Sequence, residues 1–152
     1  MSDVEFLAWW GAVVSTIVLA WDIYKWKTAG AKLKITASTN MESYNIPEYE
    51  GKKLITANVS NLGDRPTTIT IIALVFYKSK FHKLLKKSNK VFILPIPSTA
   101  QPLPFVIQPG EIWTGVGEQS ADVKEMALEG LLEWQVFHSQ SKKPASIAIK
   151  IN

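Results

Sequence analysis

Two rhythms divide the chain. From Phe6 to Trp21 (FLAWWGAVVSTIVLAW) no residue is charged, and extending the run to Tyr24 admits only Asp22. Sixteen residues make about 24 Å of helix and Val4 to Tyr24 about 31 Å, close to the ~30 Å hydrocarbon core of a bilayer. Trp9 and Trp10 at one end, and Trp21, Tyr24 and Trp26 at the other, are the amphipathic rings that anchor a helix at the two membrane–water interfaces. The pattern predicts a single transmembrane helix. A cleaved signal peptide wants a basic start, whereas the residues before Phe6 are acidic. An interfacial helix needs a polar face, which Gly11, Ser15 and Thr16 are too few to make. A buried soluble helix accounts poorly for five aromatic rings gathered at its two ends.

After Gly30 the pattern alternates. Lys32 to Ser38 and Leu54 to Val59 switch between apolar and polar at every step, with Ile55, Ala57 and Val59 on one face, as half-buried strands do. Thr67 to Tyr77 (TTITIIALVFY) is β-branched and aromatic and becomes apolar on both faces, which predicts a central strand. Val91–Pro97, Pro104–Gln108, Glu111–Val116, Leu131–His138 and Ser146–Ile151 bring the expected number of strands to about eight. Asn61 to Pro66 and Pro109-Gly110 are turn signals, the latter fitting the central pair of a type II turn. Five prolines from Pro95 to Pro109 cannot sit in a central ladder and mark an edge or a crossover. One short helix is expected at Val123 to Glu129, capped by Asp122 with Glu125 and stopped by Gly130. The fold class is therefore mainly β: residues 31–152 as an antiparallel, immunoglobulin-like two-sheet sandwich, preceded by a transmembrane helix and juxtamembrane linker over residues 1–30. A small closed β-barrel is the alternative.

Charge sets the expected orientation. Residues 1–24 carry Asp3, Glu5 and Asp22 and no base, so all 17 basic residues fall beyond them. Lys25, Lys27, Lys32 and Lys34 follow the apolar run directly, and the positive-inside rule then places the body in the cytoplasm. Absence of cysteine fits a reducing compartment. Arg65 is the only arginine, which removes most bidentate recognition of phosphate or guanine and argues against sequence-specific nucleic-acid binding.

Candidate chemistry is sparse. Phosphate-loop, zincin and nucleophile-elbow motifs are missing, so no catalytic, cofactor or metal residues are assigned. His138-Ser139 is the best nucleophile–base candidate, but neighbours in a strand point to opposite faces. The most distinctive stretch is Tyr77 to Phe92, where Lys78, Lys80, His82, Lys83, Lys86, Lys87 and Lys90 occur without an acid. Phe81, Leu84 and Leu85 would share one side of a helical turn there, making a cationic amphipathic element for a membrane surface or an anionic ligand. On the apolar run, Ala8, Gly11, Ser15 and Asp22 fall on one stripe suited to helix–helix contact and hence to a homo-oligomer. Residues 111–133 oppose the basic stretch with Glu111, Glu118, Asp122, Glu125, Glu129 and Glu133 against Lys124.

Trp21 to Thr28, Asn61 to Thr68 and Gln108 to Trp113 resemble small bacterial membrane-anchored proteins of unassigned function, with an N-terminal transmembrane helix and an immunoglobulin-like sandwich. The resemblance implies a bacterial or phage origin and brings no activity. Together these features predict a single-pass protein of the bacterial inner membrane whose cytoplasmic body is a non-enzymatic binding or scaffolding module. Its expected partners are the lipid bilayer, further copies of the chain, and a cytoplasmic protein or anionic ligand. The alternative is an oligomerising effector that permeabilises the bilayer when the β body senses an anion such as a nucleotide, and a hydrolase using Ser139 and His138 comes third.

Overall fold

The computed structural model of the chain describes residues 2–151. Contacts divide the protein into two units, Met1–Gly30 and Ala31–Asn152.

The first unit is one helix, α1 (Asp3–Thr28), extending past the uncharged run at both ends. Ser2 and Glu5 close its start as a capping box: Ser2 Oγ accepts from the Glu5 amide at 3.4 Å, and Glu5 Oε2 accepts from the Ser2 amide at 2.9 Å. This Ser-x-x-Glu signal was present in the sequence. Asp3 and Glu5 in the first turn and Lys25 and Lys27 in the last complement the helix dipole. None of its residues is buried, and the helix is long and apolar enough to cross a membrane.

The second unit is mainly antiparallel β in two sheets. One has the order β1 (Leu33–Glu42), β2 (Lys53–Asn61), β6 (Ile112–Glu118). The other has the order β4 (Lys90–Ile93), β3 (Thr67–Tyr77), β7 (Leu131–His138), β8 (Ala145–Ile149), with β5 (Phe105–Ile107) paired to the start of β3. Thr39 Oγ1 donates to the Lys150 carbonyl at 3.1 Å, bringing β1 and β8 together, yet no ladder joins them. The sheets stay open, so the closed barrel is set aside.

One hydrophobic core lies between the sheets. Ile55, Ala57 and Val59 of β2 enter it from one side, as alternation predicted. Leu132, Trp134 and Val136 of β7 enter it from the other, and Trp113 and Trp134 are fully buried. Strand β3 changes face midway: a register shift between Ile69 and Ile71 lets both Ile69 and Ile72 point inward while Ile71 stays exposed. A second irregularity lies in β1, which runs beyond the expected Ser38. Asn40 there adopts φ 56° and exchanges hydrogen bonds with Gln119 at 2.9 and 2.8 Å.

The Pro-rich stretch is a crossover. Expected strand Val91–Pro97 ends at Ile93, because Pro95 and Pro97 cannot donate to a ladder. The chain then passes to the other sheet, where the Pro97 carbonyl accepts from the Val116 amide at 2.6 Å. Gln101 follows along the outer edge of β6, bonding Thr114 N–H at 3.0 Å and the Ile112 carbonyl at 3.2 Å, while its own carbonyl accepts from Trp113 Nε1 at 2.8 Å. An edge that would otherwise present free backbone groups is thereby covered.

Asn61 pins three segments together. Fully buried, its side chain accepts from Lys32 N–H at 3.3 Å and Gly63 N–H at 3.0 Å and donates to the carbonyls of Arg65 at 2.8 Å and Ile107 at 3.3 Å. The Pro109-Gly110 turn forms as expected, with Gly110 at φ 82° and the Glu111 amide donating to the Gln108 carbonyl at 3.1 Å.

The expectation of one short helix is corrected, since the body also contains α2 (Lys80–Leu84) and a 3-10 turn at Pro47–Tyr49. The anticipated helix, α3 (Ala121–Glu129), starts two residues earlier than expected, with Ser120 rather than Asp122 as its cap. Gly130 is its C-cap as expected, and only glycine fits there because a β-carbon would lie 2.5 Å from the Tyr77 carbonyl oxygen.

Candidate functional site

The lysine-rich connection between β3 and β4 folds locally because its own groups satisfy both ends of α2. Ser79 Oγ accepts from the His82 amide at 3.3 Å and lies 2.8 Å from His82 Nδ1. At the other end, the Lys86 amide donates to the Lys83 carbonyl and the Lys87 amide to the His82 carbonyl, both at 2.9 Å, closing a Schellman motif. That closure holds Lys86 at φ 55°, a left-handed conformation that normally falls to glycine. Phe81, Leu84 and Leu85 are all exposed, as are Val91 and Ile93 of the neighbouring edge strand β4. The connection thus exposes five apolar side chains among exposed lysines.

The seven basic residues of this stretch separate into groups. Lys78, Lys80, Lys87 and Lys90 are exposed, and His82 belongs to the helix cap. Lys83 and Lys86 face a cleft of about 460 Å³ over the outer face of the second sheet. Pairing of Val75 with Glu133, Ala73 with Gln135 and Gln135 with Ser146 places these residues on the face opposite the core. Tyr77, Glu133 and Gln135 make the polar floor, and Lys142 and Lys143 of the β7–β8 turn join Lys83 and Lys86 around it.

Charge on that floor is unusual. Glu133 is 2% exposed and forms an ion pair with Lys83, whose side chain is 46% exposed. Gln135 Nε2 donates to the Tyr77 hydroxyl at 3.1 Å and approaches Glu133 Oε2 at 3.4 Å. Lys86, Lys142 and Lys143 have no carboxylate partner among the described residues. Linear reading missed this constellation, since Glu133 lies in a strand that otherwise reads as core and Lys142-Lys143-Pro144 resembles an ordinary polar turn.

His138 and Ser139 do not form a nucleophile–base pair with each other. Thr67 Oγ1 lies 3.1 Å from His138 Nδ1 and 3.3 Å from Ser139 Oγ, and the Thr68 amide donates to Ser139 Oγ at 3.1 Å. Both side chains tie the end of β7 to the start of β3. Burial lowers the His138 pKa from its ordinary value, disfavouring the imidazolium.

On α1, the 3.6-residue period puts Ala8, Gly11, Ser15 and Asp22 within one narrow stripe. Ser15 Oγ donates to the Gly11 carbonyl at 2.8 Å, so this hydroxyl is engaged within its own helix. A β-carbon at Gly11 would meet nothing within 4 Å. At one end Trp9 and Trp10 meet edge to face at 6.4 Å; at the other Trp21 and Tyr24 lie 5.9 Å apart and Trp26 is exposed.

No protein-family model and no curated protein matches the chain. Among solved structures, it is similar to a crystal structure of a Bordetella pertussis protein provisionally identified as ApaA, at 11% identity and a TM-score of 0.39, over 80% of this chain and 91% of that one. An X-ray structure of a structural-genomics target is similar at 11% identity and a TM-score of 0.35, over 79% of this chain and 82% of that one. Overlap at this level does not establish a shared topology. The chain has one long apolar N-terminal helix and a mainly antiparallel β body in two sheets.

Proposed function

We propose that the chain is a single-pass protein of a bacterial inner membrane whose cytoplasmic body, a sandwich of immunoglobulin-like type, is a binding or scaffolding module and not an enzyme. The observation that carries this reading is α1: 26 residues, apolar through its middle, aromatic at both ends and with no residue buried. Apolar surface on that scale calls for an apolar environment, which a bilayer supplies. Lys25, Lys27, Lys32 and Lys34 support the cytoplasmic placement of the body. Engagement of His138 and Ser139 with Thr67 supports the non-enzymatic reading.

The exposed side chains of Phe81, Leu84, Leu85, Val91 and Ile93, interleaved in sequence with exposed Lys80, Lys87 and Lys90, suit a segment that rests on anionic headgroups. Each lysine near such a surface contributes about 1 kcal/mol. Four residues, Ala29 to Lys32, connect α1 to β1, so a bilayer holding α1 is the nearest extended anion.

Because the chain has no cysteine, a single introduced thiol reports topology cleanly. In intact cells, an impermeant maleimide should label Ser2→Cys from outside and reach Ser88→Cys only after lysis. Labelling with the opposite sidedness, or extraction of the chain by alkaline carbonate, would refute the anchor or its orientation. For headgroup contact, an environment-sensitive dye on Leu84→Cys should shift to the blue in anionic but not zwitterionic proteoliposomes. Replacing Lys80, Lys87 and Lys90 by Glu should abolish that shift.

A second reading, an oligomerising effector that permeabilises the bilayer, is supported by the placement of Ala8, Gly11, Ser15 and Asp22 on one stripe of α1, where small residues let helix backbones approach closely. Gly11→Ile should then remove chemical cross-linking between copies in the membrane and any anion-induced dye leakage from proteoliposomes.

A further inference from the structure

We propose that the cleft between α2 and the β7–β8 turn is a binding site for a phosphate monoester, with Lys86, Lys142 and Lys143 holding the phosphate and Glu133 accepting a hydrogen bond from the organic part of the ligand. The site is independent of membrane anchoring: every residue in it belongs to the β body.

Three features converge. Lys86 and the Lys142-Lys143 pair come from segments more than fifty residues apart, yet the fold gathers them on one cleft of about 460 Å³, within the size range of small-molecule pockets. Like charges gathered without partners repel one another, and a multiply charged anion relieves that repulsion. Lysine ammoniums are point charges with rotatable donors, a chemistry that suits the three terminal oxygens of a phosphate monoester.

The floor is the second feature. Glu133, Gln135 and Tyr77 are each at least nine-tenths buried, and they present a carboxylate, an amide and a phenol to the cleft. A carboxylate kept beneath a cationic rim would repel a bare phosphate; it selects a ligand that brings a hydroxyl or amino donor along with its phosphate. Lys83 neutralises Glu133 through their ion pair.

The third feature is Lys86 itself. The Schellman closure of α2 calls for glycine at this position, and lysine occupies it at φ 55°. A strained residue at the mouth of a cleft is the pattern expected where side-chain chemistry outweighs backbone preference.

A phosphate monoester can come from a soluble nucleotide or from a phospholipid headgroup, and the experiment separates the two. The full chain in phosphatidylcholine nanodiscs is titrated calorimetrically with adenosine 5′-monophosphate, adenosine and inorganic phosphate, then again in discs containing phosphatidic acid. The nucleotide should bind saturably at one site and adenosine should not bind. Lys86→Gly and the Lys142→Ala, Lys143→Ala pair should each weaken the nucleotide by about tenfold, equivalent to about 1.4 kcal/mol. Glu133→Gln should weaken the nucleotide while inorganic phosphate, no longer repelled by the carboxylate, binds more tightly than to the parent. Loss of nucleotide binding in the doped discs, restored in those discs by removing the phosphatidic acid, identifies the lipid as the source of the same chemistry. Lys86→Gly relieves backbone strain, so that variant should melt no lower than the parent and its weakened binding cannot be ascribed to misfolding. No binding of either phosphate probe in any disc, or equal binding by all lysine variants, would overturn the proposal.

Discussion

The Lys83–Glu133 pair predicts unequal consequences for removing its two halves. Glu133 is almost fully buried, whereas Lys83 is half exposed, so only one member depends on the other for solvation. Lys83→Met leaves the carboxylate in the sheet with Gln135 Nε2 at 3.4 Å as its remaining side-chain donor. A hydrogen bond to a charged group is worth about 1.5–3 kcal/mol; partial exposure of the lysine lowers the expected loss to about 2 kcal/mol. Glu133→Gln keeps an oxygen for Lys83 and abolishes the buried charge, so its cost should stay within about 1 kcal/mol. The double variant should resemble Glu133→Gln alone, giving a coupling energy equal to the Lys83→Met loss, about 2 kcal/mol. Amide hydrogen exchange across β3 and β7 in the detergent-solubilised full chain measures the opening energy of this sheet separately from α1. Equal losses for the two single variants, or full protection in Lys83→Met, would mean that Glu133 is solvated by something other than Lys83.

Trp113 and Trp134 offer a matched comparison, since both are fully buried but only Trp113 Nε1 has a partner among the described residues. Trp113→Phe should cost about 1–3 kcal/mol more than Trp134→Phe in the same exchange assay, because it strips the Gln101 carbonyl of its donor while the other removes an orphan N–H. Asn61→Leu should destabilise by at least about 2 kcal/mol, as two amides and two carbonyls lose their partners together. His138 carries a depressed pKa, so the unfolded chain binds the proton more tightly than the folded one. Stability should therefore be complete above the ordinary imidazole value of about 6.5 and decline as pH falls below it; His138→Gln should flatten that part of the profile.

Period alone made much of the architecture legible. An uncharged run with aromatic ends reads as one long helix, and strict alternation at Leu54 to Val59 assigns Ile55, Ala57 and Val59 to the core before any partner strand is known. Prolines were similarly informative, because a missing donor is a local property wherever the chain runs. Local signals failed where two candidates competed: Ser120 and Asp122 can both cap α3, and only packing of the following turn chooses between them. They failed as well in β3, where the register shift near Thr70 exchanges inward and outward residues without any turn residue to announce it.

The cleft belongs wholly to tertiary structure. Sequence by itself determined that lysines crowd residues 78–90, that one helix is apolar enough for a membrane, and that the rest alternates as strands, because each depends on neighbours within a few positions. Whether Lys83 meets Glu133 depends on strand pairing across fifty residues, and a Coulomb interaction is set by distance in space. Folding alone therefore decided that Lys83 would be neutralised by Glu133 while Lys86 joined Lys142 and Lys143, and that an acid in the middle of an apolar strand would become the floor of a site.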